Sequence, residues 1–321
     1  MAIKKIGVMT SGGDAPGMNA AIRSVVRNAF SKKISVAGIL RGYSGLLNDE
    51  IVDLSHRSVS NIINRGGTIL KTSRCPEFMT KEGQKKGVEI LKRNGIEGLV
   101  VIGGDGSYHG AQVLSKDWKI PCIGVPGTID NDLSGTDRTI GSDTAVETAL
   151  DAIDKIKDTV NSMERIYIIE VMGRHCGYIA LKVALAGGAE QVLVPEVKFE
   201  LSDVCQEITE GYIRGKASWI IVVAEGAAHA NDLAAKIEEI TDLETRAVVL
   251  GHVQRGGIPT AEDRILGGRL GAAAVDLLLR GESGKAVGVV CDKITAVDFS
   301  VACSPCVCQV KEDLNLINVL T

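Results

Sequence analysis

Leu99-Val100-Val101-Ile102-Gly103-Gly104-Asp105-Gly106-Ser107 is the stretch on which the fold turns. Its four apolar residues make a strand-sized run, and an uninterrupted apolar run fits a strand covered on both faces. The glycines that follow let the backbone turn sharply and approach a ligand closely. The same pattern repeats along the chain. Apolar runs at 6–10, 36–40, 122–125, 166–170, 191–194, 219–223, 247–250 and 286–291 predict further strands. Helical periodicity lies between them, as at 81–93, 144–159 and 201–213. This alternation predicts an α/β fold with mainly parallel sheets covered by helices on both faces. In open sheets of that kind, ligands bind beyond the carboxyl ends of the strands. The Gly- and Asp-rich strand ends are therefore where chemistry is to be sought.

At 321 residues the chain is too long for one simple core and predicts two domains. Aromatic residues are only 3%, so Ile, Val, Leu and Ala must build the cores. The net charge of −4 argues against a general nucleic-acid binder, which would be basic. The first ten residues are too short and too charged for a signal peptide, and no apolar run approaches a membrane span. The expectation is a soluble, cytoplasmic protein with no membrane partner. The eight cysteines are scattered except for Cys303, Cys306 and Cys308. No second ligand pair has the usual zinc spacing, which leaves reduced structural thiols and a metal cluster as two readings.

Four groups of residues carry chemistry. Thr10 to Asn19 read T-S-G-G-D-A-P-G-M-N, after a strand and into a helix. Glycines and the free N–H groups of a helix N-terminus suit an anion, although a plain strand-to-helix turn has the same residues. It matches neither the dinucleotide nor the Walker A spacing. Gly103 to Ser107 place Asp105 where a carboxylate would hold Mg²⁺ beside phosphate oxygens, with an Asp-Gly turn as the other reading. Pro126-Gly127-Thr128-Ile129-Asp130-Asn131-Asp132 follow another strand. Asp130 and Asp132 would share a face of an extended segment, as a base and a metal helper, or form an Asx-rich turn. The last group is basic: Glu170 to His175, Gly251 to Gly257, and Arg65, Arg74, Arg165 and Arg246 near element ends. Arginine forks grip phosphate bidentately, though each of these alone also fits a solvated surface residue. Three Gly/Asp strand ends and two Gly/Arg strand ends together suit two phosphorylated ligands meeting over a metal.

In order along the chain, Ser11 to Asn19, Ile102 to Ser107, Pro126 to Asp132, Glu170 to His175 and Leu250 to Gly257 resemble the bacterial ATP-dependent 6-phosphofructokinases. The likeness runs from Lys4 to about Val290, and the tail from Cys291 departs from it. The resemblance implies two Rossmann-like domains. The larger, ATP-binding one is expected over 1–141 and 259–308, and the smaller, fructose 6-phosphate-binding one over 142–258 and 309–321. It implies ATP contacts at Gly13, Tyr43, Arg74, Cys75, Gly104, Asp105, Gly106, Ser107 and Gly110, with Mg²⁺ at Asp105. Asp130 is implied as the base, assisted by Thr128, Asp132, Arg74 and Arg174. Sugar-phosphate contacts are implied at Thr128, Ile129, Asp130, Met172, Gly173, Arg174, Glu225, His252, Val253, Gln254 and Arg255. Arg165 and Arg246 would reach in from a neighbouring subunit of a homotetramer.

The resemblance also implies an effector site for ADP or GDP and for phosphoenolpyruvate, at Arg23, Arg27, Lys157, Glu190, Arg214 and Lys216. His56 and Lys157 stand where the family usually has arginine, and Ala217 where it usually has lysine. Weaker effector binding is the expectation, because lysine lacks the bidentate fork and His56 is charged only at lower pH. Three rivals compete with this reading. Pyrophosphate-dependent relatives usually carry Asp at the position of Gly106 and Lys at that of Gly127. An NAD or lipid kinase would share the G-G-D-G turn but not the other motifs. A catalytically inactive nucleotide sensor would not need Asp130, Asp105 and Arg174 intact.

Overall fold

The computed structural model describes residues 3–216, 218–304 and 310–320. The expectations placed on Ala217, Cys306 and Cys308 lie outside the described residues. The chain divides into two compact units, Met1–Thr144 with Arg255–Cys306, and Ala145–Gln254 with Val307–Thr321. The breaks fall at 144/145 and 254/255, a few residues from the positions expected at 141/142 and 258/259, and Arg255 thereby joins the first unit.

In chain order the first unit opens with β1 (Lys5–Ser11), α1 (Met18–Ser31), β2 (Ser35–Ile39), α2 (Gly42–Leu47), β3 (Ile51–Leu54), α3 (Lys81–Arg93), β4 (Gly98–Gly103), α4 (Asp105–Lys116) and β5 (Cys122–Pro126). Helix α5 (Ser142–Met163) carries the chain across the break into β6 (Ile166–Val171), α6 (Tyr178–Gly187), β7 (Gln191–Leu193), α7 (Leu201–Ile213), β8 (Trp219–Ala224), α8 (Ala230–Thr241) and β9 (Thr245–Val249). The first unit then resumes with α9 (Ala261–Leu279), β10 (Lys285–Val290), β11 (Lys293–Asp298) and α10 (Phe299–Ala302), and α11 (Val310–Leu320) belongs to the second.

The first unit is built on a seven-stranded sheet, β11-β10-β5-β4-β1-β2-β3. Its five central strands are parallel, and the two edge strands, β3 and β11, are antiparallel to their neighbours. Every residue of β4 and β5 is buried, as expected of strands with helices on both faces. The cover is closest where α1 meets α9. A Cβ on Gly271 would stand 2.7 Å from the carbonyl oxygen of Ala21, so only glycine lets these two helix backbones approach. The start of α9 is fixed by Thr260, whose hydroxyl accepts the Asp263 N–H at 3.3 Å. The second unit has a fully parallel sheet, β7-β8-β6-β9, with every residue of β8 buried. Among the described residues no helix is long and apolar enough to cross a membrane.

Register places the motifs. Ser11 of β1 stands opposite Gly103 of β4, and Gly103 opposite Pro126 of β5. Three Gly/Asp segments therefore leave one edge of the sheet side by side. After β1 the chain builds β2 on one side and later β4 on the other, which makes the β1/β4 gap the switch point where such sheets bind ligands.

Candidate active site

At the switch point Gly12 adopts φ +87°, a left-handed conformation that glycine takes without strain. A Cβ on Gly13 would run into Arg255 Nη1, so a side chain there would have to displace that guanidinium. Arg255 also donates from Nη1 to the Asp14 carbonyl at 3.3 Å. The segment after β3 is strapped over this turn. Thr72 donates to the Gly12 carbonyl at 2.6 Å, Thr10 to the Lys71 carbonyl at 2.7 Å, and Asn19 to the Arg65 carbonyl at 3.0 Å. Asn19 also accepts the Ile69 N–H at 2.8 Å. Arg74 extends from this strap with its side chain exposed, and among the described residues no carboxylate pairs with it.

Beyond β4, Gly104 precedes α4 and Asp105 is its first residue. The first N–H groups of a helix have no partner within it and favour an anion. The Asp105 Oδ1 atom is buried without a well-aligned hydrogen bond, and His109 Nε2 lies 3.2 Å from it. Ser107 is buried against Gly12 and Gly103. A Cβ on Gly106 would meet nothing within 4 Å. Tyr43 is placed inward: its ring stacks on Phe78 at 4.2 Å between centroids and its hydroxyl donates to the Ser107 carbonyl at 2.7 Å. Burial pushes its phenol well above the usual range. A Cβ on Gly110 would stand only 2.6 Å from the Tyr43 ring, so glycine is needed for this close approach, and Cys75 packs on the same cluster. Tyr43, Cys75 and Gly110 thus form a wall under the turn.

The segment after β5 holds the two aspartates. Its ends are tied by a bridge between Gly127 and Ile140 and by the Thr139 hydroxyl on the Thr128 carbonyl at 2.7 Å. Thr128 Oγ1 accepts the Asp130 N–H at 3.2 Å, and Asn131 takes a positive φ of 49° that turns the chain between the carboxylates. Asp130 is 3% exposed and Ile129 is buried, whereas Asp132 is half-buried. The far end is anchored by Asp263, a residue that reading for chemistry alone passed over. Its carboxylate accepts the Gly141 N–H at 2.7 Å, the Thr144 N–H at 2.9 Å and the Thr144 hydroxyl at 2.5 Å. The signal for it is the Thr260-x-x-Asp263 spacing before an apolar run, which marks a helix start.

In the second unit the basic motifs leave the carboxyl edge of the sheet together. Val171 stands opposite Ala224, and the Leu250 N–H donates to the Glu170 carbonyl at 3.0 Å. Glu225 Oε1 accepts the N–H groups of Gly173 and Arg174 at 3.3 and 2.9 Å, and so shapes the turn that presents Arg174. The turn needs φ +142° at Gly173 and +52° at Arg174. Buried Gln254 accepts the Met172 N–H at 3.3 Å. His252 and Val253 are exposed beside it, as is the Arg174 side chain. Arg165 and Arg246 do not join this group. Arg165 precedes β6 and Arg246 is the second residue of β9, at the amino edge of the sheet. Arg165 Nε donates to Glu244 at 2.6 Å, and Arg246 donates to the other oxygen of the same carboxylate.

Residues 5–278 match the family described as phosphofructokinase. The chain belongs to the phosphofructokinase family. A relative from Bacillus velezensis, named ATP-dependent 6-phosphofructokinase, is 57% identical over 297 residues, covering 92% of this chain and 93% of its own. The phosphofructokinase structure from Saccharomyces cerevisiae gives a TM-score of 0.86 at 35% identity, over 98% of this chain and 46% of that one. The pyrophosphate-dependent phosphofructokinase from Marinobacter aquaeolei gives 0.82 at 25% identity, over 98% of this chain and 91% of that one. The phosphofructokinase backbone is thus shared by relatives named for different phosphoryl donors, and the donor has to be argued from side chains.

The residues nominated for a phosphofructokinase effector site fall into two groups. In the first unit Arg23 and Arg27 lie one turn apart on α1, with a buried Arg27 Nε, and the His56 ring meets Phe30 edge-on at 5.2 Å. In the second unit Lys216 pairs with Glu190 at 3.1 Å and lies over the Trp219 ring at 4.9 Å. Glu190 also accepts the Ile220 N–H at 2.7 Å. Lys157 lies beside Gly188, and Arg214 donates to the Glu210 carbonyl at 3.2 Å.

Proposed function

We propose that the chain transfers the ATP γ-phosphoryl group to the 1-hydroxyl of fructose 6-phosphate, as an ATP-dependent 6-phosphofructokinase. The observation that carries the reading is the register that sets Gly12–Gly13, Gly104–Asp105 and Thr128–Asp130 on one sheet edge. The first unit is the ATP-binding domain, with backbone N–H groups of Gly13 and the start of α4 on the phosphates. The second is the sugar-phosphate domain. Arg74 and Arg174 are assigned to the charge that develops on the moving phosphoryl group. Buried Asp130 takes the proton of the sugar hydroxyl, with Thr128 holding its backbone and Asp132 beside it. In-line transfer asks little covalent chemistry of the protein, so positioning and charge dominate.

The residues present fit Mg²⁺. Asp105 offers a buried carboxylate oxygen without a well-aligned donor at the end of β4, the hard ligand that this ion takes. Asp105 would hold Mg²⁺, which would supply charge neutralisation to the nucleotide phosphates.

ATP is favoured as donor over pyrophosphate. Gly106 leaves the space beside the α4 terminus open, and at Gly127 a Cβ would already stand 3.0 Å from both Ile102 and Met18, so a lysine there would need the wall to move. The enzyme is a cytoplasmic homotetramer. Strand β6 has six residues, about 20 Å at the rise of an extended chain, and separates Arg165 from Arg174. That separation supports assigning Arg165 and Arg246 to a neighbouring subunit. ADP or GDP and phosphoenolpyruvate act as weak effectors, given His56 and Lys157. A coupled assay with fructose 6-phosphate, comparing ATP and pyrophosphate and varying the effectors, tests this. Turnover with pyrophosphate equal to that with ATP would remove the donor assignment.

A further inference from the structure

Three side chains of metal-ligating types meet in the first unit. Asp105 and His109 lie one turn apart on α4, and Cys303 follows α10. Their ligand atoms all lie within 4.8 Å of one another. His109 Nε2 is 3.2 Å from Asp105 Oδ1, and Cys303 Sγ is 4.0 Å from the Asp105 carbonyl. The meeting is held by packing. Helix α10 rests on α4 through the Tyr108 and Phe299 rings, 5.3 Å apart at their centroids, and the Cys303 N–H donates to the Phe299 carbonyl at 2.9 Å.

We propose that Asp105, His109 and Cys303 form a site for a borderline divalent cation, Zn²⁺ by preference. Oxygen, nitrogen and sulfur from three side chains, with a fourth position open to solvent, is the ligand count of an accessible zinc site. On one Zn²⁺ such ligands lie about 3.3–3.8 Å apart, so small side-chain rotations close the present spacing. The set selects against Mg²⁺, which keeps to oxygen ligands and leaves imidazole and thiolate to softer ions. Binding displaces the Cys303 thiol proton to solvent. The functional consequence, unlike the binding, rests on the kinase reading. Asp105 is the carboxylate assigned to Mg²⁺ beside the nucleotide, so Zn²⁺ and Mg-ATP compete for it and Zn²⁺ inhibits.

The test uses the full chain, freed of metal by a chelator and titrated with Co²⁺ alone, without nucleotide. One equivalent gives a thiolate-to-cobalt charge-transfer band, which Zn²⁺ displaces. Cys303→Ser abolishes the band, and the Cys306→Ser/Cys308→Ser variant keeps it. His109→Gln weakens Zn²⁺ binding by about tenfold or more, measured against a chromophoric chelator. In the kinase assay Zn²⁺ inhibits the wild type, added Mg-ATP relieves it, and His109→Gln and Cys303→Ser turn over normally but need about tenfold more Zn²⁺ for the same inhibition. A band that survives Cys303→Ser, no band in the wild type, or unchanged Zn²⁺ affinity in His109→Gln overturns the site. Inhibition that Mg-ATP does not relieve overturns the shared use of Asp105. A cobalt band in a chain without ATP-dependent turnover supports the site while refuting the kinase reading.

Discussion

Asp263→Ala is expected to loosen the segment that carries Asp130 and to lower the stability of the first unit by about 2–4 kcal/mol. The figure follows from the bonds that are lost. Asp263 is 1% exposed, and its carboxylate accepts two backbone N–H groups, from Gly141 and Thr144, together with the Thr144 hydroxyl. The hydroxyl can turn elsewhere, but the two N–H groups cannot, and each buried donor left without an acceptor costs about 1–3 kcal/mol. Removing a buried carboxylate returns part of that, because burial already pushes the Asp263 carboxyl above its ordinary range. In a unit of roughly 200 residues the net loss lowers Tm by about 5–15 °C. Thr144→Val removes a hydroxyl that donates to Asp263 and accepts the Thr260 N–H at 3.0 Å, and is expected to cost about 1–3 kcal/mol. The raised carboxyl also fixes the pH dependence. The folded state keeps the Asp263 proton to higher pH than the unfolded chain, so this contribution is complete below the unfolded carboxyl range and is lost as pH rises through the folded value. The gap in Tm between wild type and Asp263→Ala should narrow as pH rises above the ordinary carboxylate range. Thermal unfolding by circular dichroism, without ligands, measures both. An Asp263→Ala variant that melts within about 2 °C of wild type at every pH shows that the carboxylate anchors nothing.

Three further outcomes are expected. Asp130→Asn should lower kcat by about two to four orders of magnitude with little change in KM for fructose 6-phosphate, and a wild-type kcat would make Asp130 a turn residue only. Arg246→Ser should raise KM for fructose 6-phosphate and leave KM for ATP unchanged. Mixing that chain with Asp130→Ser by reversible denaturation should restore activity, and mixed oligomers without activity would place Arg246 in its own chain's site. On α9, Gly268→Ala should stabilise by about 0.5–1 kcal/mol, since its Cβ meets nothing within 4 Å, whereas Gly271→Ala should destabilise by about 1–3 kcal/mol against the Ala21 carbonyl. Equal melting temperatures for the two variants would contradict the close α1–α9 packing.

The central strands were legible because burial on both faces leaves an unbroken apolar run, as in Gly98–Gly103 and Trp219–Ala224. The edge strands were not. Ile51–Leu54 and Lys293–Asp298 are largely exposed, and short, charged, two-sided segments are what guards a sheet edge against further pairing. Such segments read as loop, so the antiparallel margins of the larger sheet went unforeseen. Strand β9 was expected at 247–250 and runs over Thr245–Val249, because its half-exposed residues blur where it starts. The Gly- and Asp-rich motifs at the strand ends stood out for the opposite reason. A backbone that must approach a phosphate needs glycine at fixed offsets from a strand end, and that need is written within ten residues.

What supports those motifs is written nowhere near them. Asp263 lies 122 residues from Gly141, and Cys303 lies 198 residues from Asp105. Both contacts exist only because the chain leaves the first unit after Thr144 and comes back at Arg255 to lay α9 and α10 on elements it made earlier. A local reading assigns each of these residues a local role, a helix-start acid at Asp263 and a free thiol at Cys303. The fold gives each a second role: one anchors the segment that carries Asp130, and the other brings sulfur beside a carboxylate. The consequence can be tested on the same variants. If the return segment matters mainly as an anchor, Asp263→Ala should change stability and leave Zn²⁺ binding alone. Cys303→Ser should do the reverse, because its side chain is half-buried and close in volume to serine. Two residues of the returning segment that separate cleanly in this way would show that the closure of the unit and the metal chemistry beside Asp105 are independent features of one chain reversal.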